Sequence, residues 1–447
     1  MLAQEAIEVM AKMAKEVGAT QYDILAGENA SSGLSVFQQK VQNLELSSNR
    51  GIGIRIFNLD KPGYAYTEAF TMEALQSTVR DAWSHTLLTG AVKVDLPSKL
   101  EVFDNAPTGL EQYNEKIEKL SLDEMKDFCL ELERLTLDAD DLIKNVPYLG
   151  YSKTSSISYF LNHHGVATTH KRNSVQAGIG AVAQKGEISK LGVYSLGGRD
   201  ISDFDPKVFS KYAVERALEL LEAEPVAHGK YKVLFSNRVS GQIMSMFQSP
   251  FFADNIQKGQ SKLEGKIGQK IASSLLTISS DPWAVGLPGS ELCDSEGVTT
   301  QPLKVVEKGV LNCFLYNLES AQKDGVKSNA AASRGYSGKV GTAFSNYIID
   351  CGKQSRQEIL ASEPKVLEIV KLEGGSGCSA ISGEISIGAQ GFLVENGLRV
   401  QPVDRITLSL NFFDLLNQIE AISNEYNDLF SSIKVPDILV NDISVAG

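Results

Sequence analysis

The chain is poor in the groups that build most hydrolytic and metal sites. It has five histidines and five cysteines in 447 residues. No two cysteines stand as C-x-x-C, and an odd number cannot pair completely. Reduced, mostly buried thiols in a reducing cytosol are therefore expected. No G-x-S-x-G elbow occurs, and no cysteine shares a familiar signature with a histidine. No apolar run approaches the length that spans a bilayer. Glu5, Glu8 and Lys12 interrupt the first residues, so they do not read as a secretory leader. The expectation is a cytoplasmic protein with no membrane association. Basic charge is also scarce: 43 Lys and Arg against 55 Asp and Glu give a net charge of −12. Nucleic-acid binding rests on clustered Lys and Arg, so no nucleic-acid partner is expected.

What is present is an ordinary globular composition, 43% apolar and 22% charged, which sets disorder aside. The length suggests two or three domains. Residues 2–17 keep apolar side chains on one helical face, with Gly18 to end the helix. Residues 22–26, 34–37, 41–46 and 50–57 read as separate short strands. Thr71 caps a second helix carrying Leu75 and Val79 inward. Residues 90–111 read as an irregular link. Ser121 and Glu124 form a capping box for a helix with Met125, Phe128 and Leu132 on its inner face. Strand-like Val, Ile, Thr and Tyr follow from 142 to 194, with a hairpin turn at 184–187. Asp205-Pro206 starts another helix. Two further hairpins turn at Glu307-Lys308-Gly309 and Glu395-Asn396-Gly397. Ser355 and Glu358 make a second capping box, and residues 411–422 read as one more helix.

The stretch from 230 to 283 holds the most telling pattern. Val233-Leu234-Phe235 is long enough for a buried strand. Ser236 or Asn237 then offers an N-cap oxygen. Val239, Ile243, Met246 and Phe247 recur at helical spacing, and Ser249-Pro250 stops the run. Strand, turn and helix therefore follow one another.

This stretch resembles the TldD/PmbA family of two-subunit metalloproteases. So do LEGKIGQKIASSLLTISSDPW, residues 293–311, residues 388–408 and the closing Ile443-Ser444-Val445-Ala446-Gly447, with a weaker likeness in NRGIGIRIF at 49–57. In the TldD-like subunit, His-Glu-x-x-x-His follows the apolar strand. The imidazoles hold an ion, and the carboxylate takes a proton from its water. Aligned through Val233-Leu234-Phe235, those positions fall on Ser236, Asn237 and Gly241. A one-residue shift gives Asn237, Arg238 and Gln242. Neither register leaves an imidazole or a carboxylate. The family's late cysteine ligand also has no counterpart in the tail from 424 to 436, which runs Asn424-Glu425-Tyr426-Asn427-Asp428-Leu429 before Lys434-Val435-Pro436.

The resemblance thus implies the other subunit, PmbA or TldE, whose motif is degenerate. It implies no metal bound by this chain, and an ion, expected to be zinc, in a TldD-like partner. It implies a heterodimer, with a homodimer as the alternative when the partner is absent. The substrates implied are small or unfolded cytosolic peptides. Competing readings are a stand-alone hydrolase with an unrecognised site, and a binding protein of a nucleic-acid enzyme, as in the old label modulator of DNA gyrase.

Three other features invite chemistry. Gly375-Ser376-Gly377-Cys378-Ser379-Ala380 fits a G-x-G-x-x-A fingerprint, but strand-like residues follow where a helix is required. His163, His164 and His170 form the one histidine cluster. On a strand the first two point to opposite faces, while His164 and His170 could meet across a turn. Asp294 and Glu296 read either as a substrate or partner contact, or as a loop whose carboxylates accept backbone N–H groups. The fold class expected is α+β, with antiparallel or mixed β-sheets, packed helices and several domains. The divisions are 1–100, an N-terminal α/β unit; 101–225, a central α+β region; and 226–447, a β-rich unit carrying the degenerate motif.

Overall fold

The computed structural model describes residues 1–427 and 429–447; Asp428, within the tail considered above, lies outside the described residues. The chain opens with α1 (Ala3–Glu16), then β1 (Gln21–Phe37), β2 (Lys40–Asn58), β3 (Lys61–Thr67) and α2 (Met72–His85). The four short strands expected from 22 to 57 are two long ones. Their polar middles break the apolar alternation, but the ladder continues through them. Glu28 pairs with Arg50 on one side and Ile157 on the other. Backbone pairing, not burial, holds that region.

Next come α3 (Glu115–Lys119), α4 (Leu122–Leu137), β4 (Ile143–Asn162), β5 (Ala167–Lys185), β6 (Ile188–Gly198) and α5 (Pro206–Glu219). The capping box at Ser121 and Glu124 and the Asp205 cap form as the sequence suggests. Six antiparallel strands make one sheet in the order β3-β2-β1-β4-β5-β6. The β1–β4 pairing joins residues on either side of position 100 in that sheet. Ile24, Ala26, Leu34 and Val36 are buried at even positions of β1, so its apolar cores lie on one face. The odd positions turn the other way, and this matters below.

The remaining half contains β7 (Gly229–Phe235), α6 (Asn237–Met246), α7 (Ala253–Gln257), β8 (Ile278–Ser280), β9 (Leu303–Glu307), β10 (Val310–Leu311) and α8 (Leu318–Asp324). It continues with β11 (Ala332–Ser333), β12 (Gly341–Thr342), β13 (Tyr347–Ile349), α9 (Arg356–Ala361), β14 (Lys365–Glu373), β15 (Glu384–Glu395), β16 (Leu398–Asn411), α10 (Phe412–Asn417), β17 (Ile419–Tyr426), β18 (Ile433–Lys434) and β19 (Pro436–Ala446). The main sheet runs β16-β15-β14-β7-β19-β17. β7 lies at its centre, parallel to β14 and antiparallel to β19. Pairing of β16 with β19 closes five of these strands into a ring. The fold is α+β with antiparallel and mixed sheets.

The helix expected from 411 to 422 ends at Asn417. Beyond it, Ile419 and Ile422 pair with Val440 and Ile438 of β19, and that ladder overrides helical spacing. Gly375 to Ala380 leads into β15 and opens no helix.

Candidate functional site

β7 is buried at Val233, Leu234 and Phe235, and the chain turns directly from it into α6. Ser236 is the N-cap, its Oγ accepting from the Val239 N–H at 3.4 Å. Val239, Ile243 and Met244 pack into the core, and Phe247 stacks on Phe412 with ring centroids 4.5 Å apart. The Asn237 N–H donates to the buried Asp437 carboxylate at 2.7 Å, an acid well placed at a helix N-terminus.

The opposite face of α6 borders an open groove of about 400 Å³. Arg238, Gly241, Gln242 and Ser245 line it from the helix, at the i, i+3, i+4, i+7 spacing of one helical stripe. Asn427 and Ser431 line it from the tail. The helix and the tail implicated by the resemblance do therefore face each other. Of the first register, only Gly241 lines the groove; the Ser236 hydroxyl caps the helix, and Asn237 gives Asp437 its backbone N–H. The shifted register puts Arg238 and Gln242 there.

These groups do not fit a catalytic metal. A guanidinium has donors only, and primary amides are weak ligands for a transition ion. The Arg238 guanidinium lies 5.5 Å from the Tyr194 ring of β6. Lys434 Nζ donates to the Leu429 carbonyl at 2.6 Å on the tail side. Among the described residues, no group of three or more His, Cys, Asp or Glu could hold a metal ion.

Asp294 and Glu296 are both buried inside the chain. Asp294 accepts backbone N–H groups from Glu296, Val298 and Ala332 at 2.9–3.1 Å, the loop role weighed above. Burial, then the nearby Glu296 carboxylate, pushes Asp294 well above the usual carboxyl range, against the pull of those N–H groups. Glu296 takes a role that sequence reasoning missed. It accepts Arg55 Nη1 at 2.7 Å and the Leu318 N–H at 2.8 Å. Arg55 also holds Asp23, and Arg334 reaches the same Asp23. Burial alone would lower Arg55, but Asp23 and Glu296 raise it well above its ordinary value. This enclosed cluster ties the odd faces of β1 and β2 to the C-terminal half.

Gly53 belongs to the same contact: a Cβ there would lie 1.7 Å from the Tyr336 carbonyl oxygen. The available signal was Gly51-x-Gly53-x-Arg55. Glycine within a strand marks a close backbone approach.

The histidines separate. His163 and His164 occupy the turn between β4 and β5, not a strand, so their rings lie together, tilted by 42° with centroids 3.7 Å apart. Their expected opposition is thereby corrected. His170 does not meet His164. It lies opposite Ser158 in the ladder, and its Nε2 is 3.7 Å from Cys293 Sγ. Burial pushes the Cys293 thiol up to about 11, so it carries little thiolate at neutral pH. No helix among the described residues is long and apolar enough to cross a membrane.

Comparison with known proteins agrees with this architecture. Residues 22–85 match the PmbA/TldA metallopeptidase domain 1, residues 115–221 its central domain and residues 228–447 its C-terminal domain. The chain belongs to the PmbA/TldD family of metallopeptidases. It is 25% identical over 454 residues to the metalloprotease PmbA of Escherichia coli O157:H7, covering 99% of this chain and 98% of that one. It is also 25% identical over 396 residues to a metalloprotease TldD homolog of Buchnera aphidicola, covering 85% and 80%. A solved Thermotoga maritima structure described as a modulator of a DNA gyrase superposes with a TM-score of 0.89 at 26% identity, over all of both chains. TldE from Thermococcus kodakarensis shares the fold with a TM-score of 0.87 at 20% identity, over 99% of this chain and all of that one.

Proposed function

We propose that this chain is the subunit without its own catalytic metal in a two-chain TldD/TldE-type peptidase. It acts in the cytoplasm on small or unfolded peptides, beside a TldD-like partner that carries the ion. The observation that carries this reading is the α6 groove. Gly241 of the first register and Arg238 and Gln242 of the shifted one line it, facing Asn427 of the tail, and none is an imidazole or a carboxylate. Amide hydrolysis needs an activated water or nucleophile and a stabilised oxyanion. The groove residues offer hydrogen-bond donors and positive charge. Those can align an extended peptide, but the described residues of the groove supply no base. Alignment accelerates the reaction only where a reactive group is in reach, hence the partner.

A self-sufficient cysteine hydrolase is disfavoured by the same chemistry, because burial keeps the Cys293 thiol protonated beside His170. The net charge of −12 weighs against direct action on DNA.

The test is a peptidase assay on an unfolded peptide with this chain, with a TldD-like partner, and with both. Cleavage should require the partner and be abolished by a chelator. Robust cleavage by this chain alone would contradict the reading; if it also resisted the chelator, it would point to an unrecognised nucleophile.

A further inference from the structure

A second cavity lies away from the α6 groove, where the first sheet meets the C-terminal half. It measures about 240 Å³. β5 supplies His170 and Arg172 to its wall, the loop before β9 supplies Glu291, Cys293 and Ser295, and Arg334 closes it from beside β11. Arg172 donates through Nη2 to the Ser290 carbonyl at 3.2 Å and stands 3.7 Å from the Glu291 carboxylate. Both side chains keep about a third of their exposure, 33% and 29%, and so mark a way in.

Two polar atoms in this wall have no hydrogen-bond partner: Ser295 Oγ and Arg334 Nε. The Arg334 side chain is only 3% exposed. Leaving a buried donor unmade costs about 1–3 kcal/mol, so native folds keep few of them. Two in one cavity, with the Arg172 guanidinium at its entrance, call for an acceptor that can take several N–H and O–H donors at once. A carboxylate does this, and its two oxygens suit a guanidinium. Burial pushes the Glu291 carboxyl up to about 7, and an ammonium group beside it would favour its charged, accepting form. The volume lies below the roughly 300–1,000 Å³ of drug-sized pockets, so the occupant is small.

We propose that this cavity binds the α-carboxylate of a small molecule, held by Arg172, Ser295 and Arg334. Two sources share that chemistry: a free amino acid, and the C-terminal residue of a short peptide. The site is separate from the α6 groove and does not depend on the peptidase reading.

Calorimetric titration of the full chain tests it, with L-alanine, tri-L-alanine and the C-terminal amide of each. At least one acid should bind, and its amide should bind about tenfold more weakly or worse, having lost the charged acceptor. Arg172→Gln and Ser295→Ala should each weaken the acid several-fold. Both should fold normally, since one changes a part-exposed side chain and the other removes an unpaired hydroxyl. Binding of L-alanine identifies the free amino acid, and binding of tri-L-alanine alone identifies the peptide end. No binding of either acid up to about 10 mM, equal binding of acid and amide, or unchanged affinity in both variants would overturn the proposal. In that case ordered water satisfies the two donors.

Discussion

Arg55 shows how much of this molecule rests on single residues placed far apart in sequence. Its side chain is 2% exposed, and its carboxylate partners Asp23 and Glu296 are fully enclosed. Ion pairs at the surface contribute little, but breaking a buried one strands its partners in a poor dielectric. Arg55→Met should therefore destabilise the chain by roughly 3–5 kcal/mol. Chemical denaturation monitored by fluorescence reads this directly. A loss under about 1 kcal/mol, typical of a surface change, would mean that the cluster does not carry the contact between the halves. The sequence displayed Arg55 as one more polar position on an alternating strand. Its bond to Glu296 joins residues 241 apart, and no local pattern encodes such a partner. The Gly51-x-Gly53 spacing, read only as part of an alternating strand, carried a signal of close approach but not of what approaches.

At the scale of elements, the local signals were the legible ones. Ser121 with Glu124, Ser355 with Glu358, and the Asp205-Pro206 start all became helix caps, because a cap is satisfied by neighbours within three or four residues. β7 and α6 were legible for the same reason, since their buried side chains keep their period. The lengths of β1 and β2, the early end of α10 and the contact of His170 with Cys293 were not. Each is fixed by a strand or loop from elsewhere in the chain. α6 also gives a paired prediction. Ser236→Ala removes the N-cap and should cost about 1 kcal/mol. Gly241→Ala should be neutral or stabilising by up to about 1 kcal/mol. A Cβ there would meet Asn427 Nδ2 at 3.7 Å and Ile433 Cγ2 at 3.8 Å, which is ordinary contact. Thermal unfolding of the two variants checks this. Strong destabilisation by Gly241→Ala would mean that the groove is narrower than the geometry gives.

For the whole molecule, the strand and helix of the expected motif form intact, and on the proposed reading their chemistry has changed. The buried face of α6 continues the C-terminal core through Val239, Ile243 and Phe247, so folding preserves it whatever its outer face displays. That outer face is free to differ. Here it presents Arg238 and Gln242 to a groove closed by Asn427 and Ser431, with no imidazole, thiolate or carboxylate among those four. The same separation explains why the family was legible from sequence while the cavity beside Arg172 was not: family patterns follow the core, whereas the cavity depends on which loops meet across two halves. The assignment as a subunit without its own ion can be measured without any substrate. Tag-free chain is dialysed to equilibrium against about 1 µM zinc and its metal content is determined. The account predicts no stoichiometric zinc on the chain, and one zinc per chain surviving a second, metal-free dialysis would contradict it.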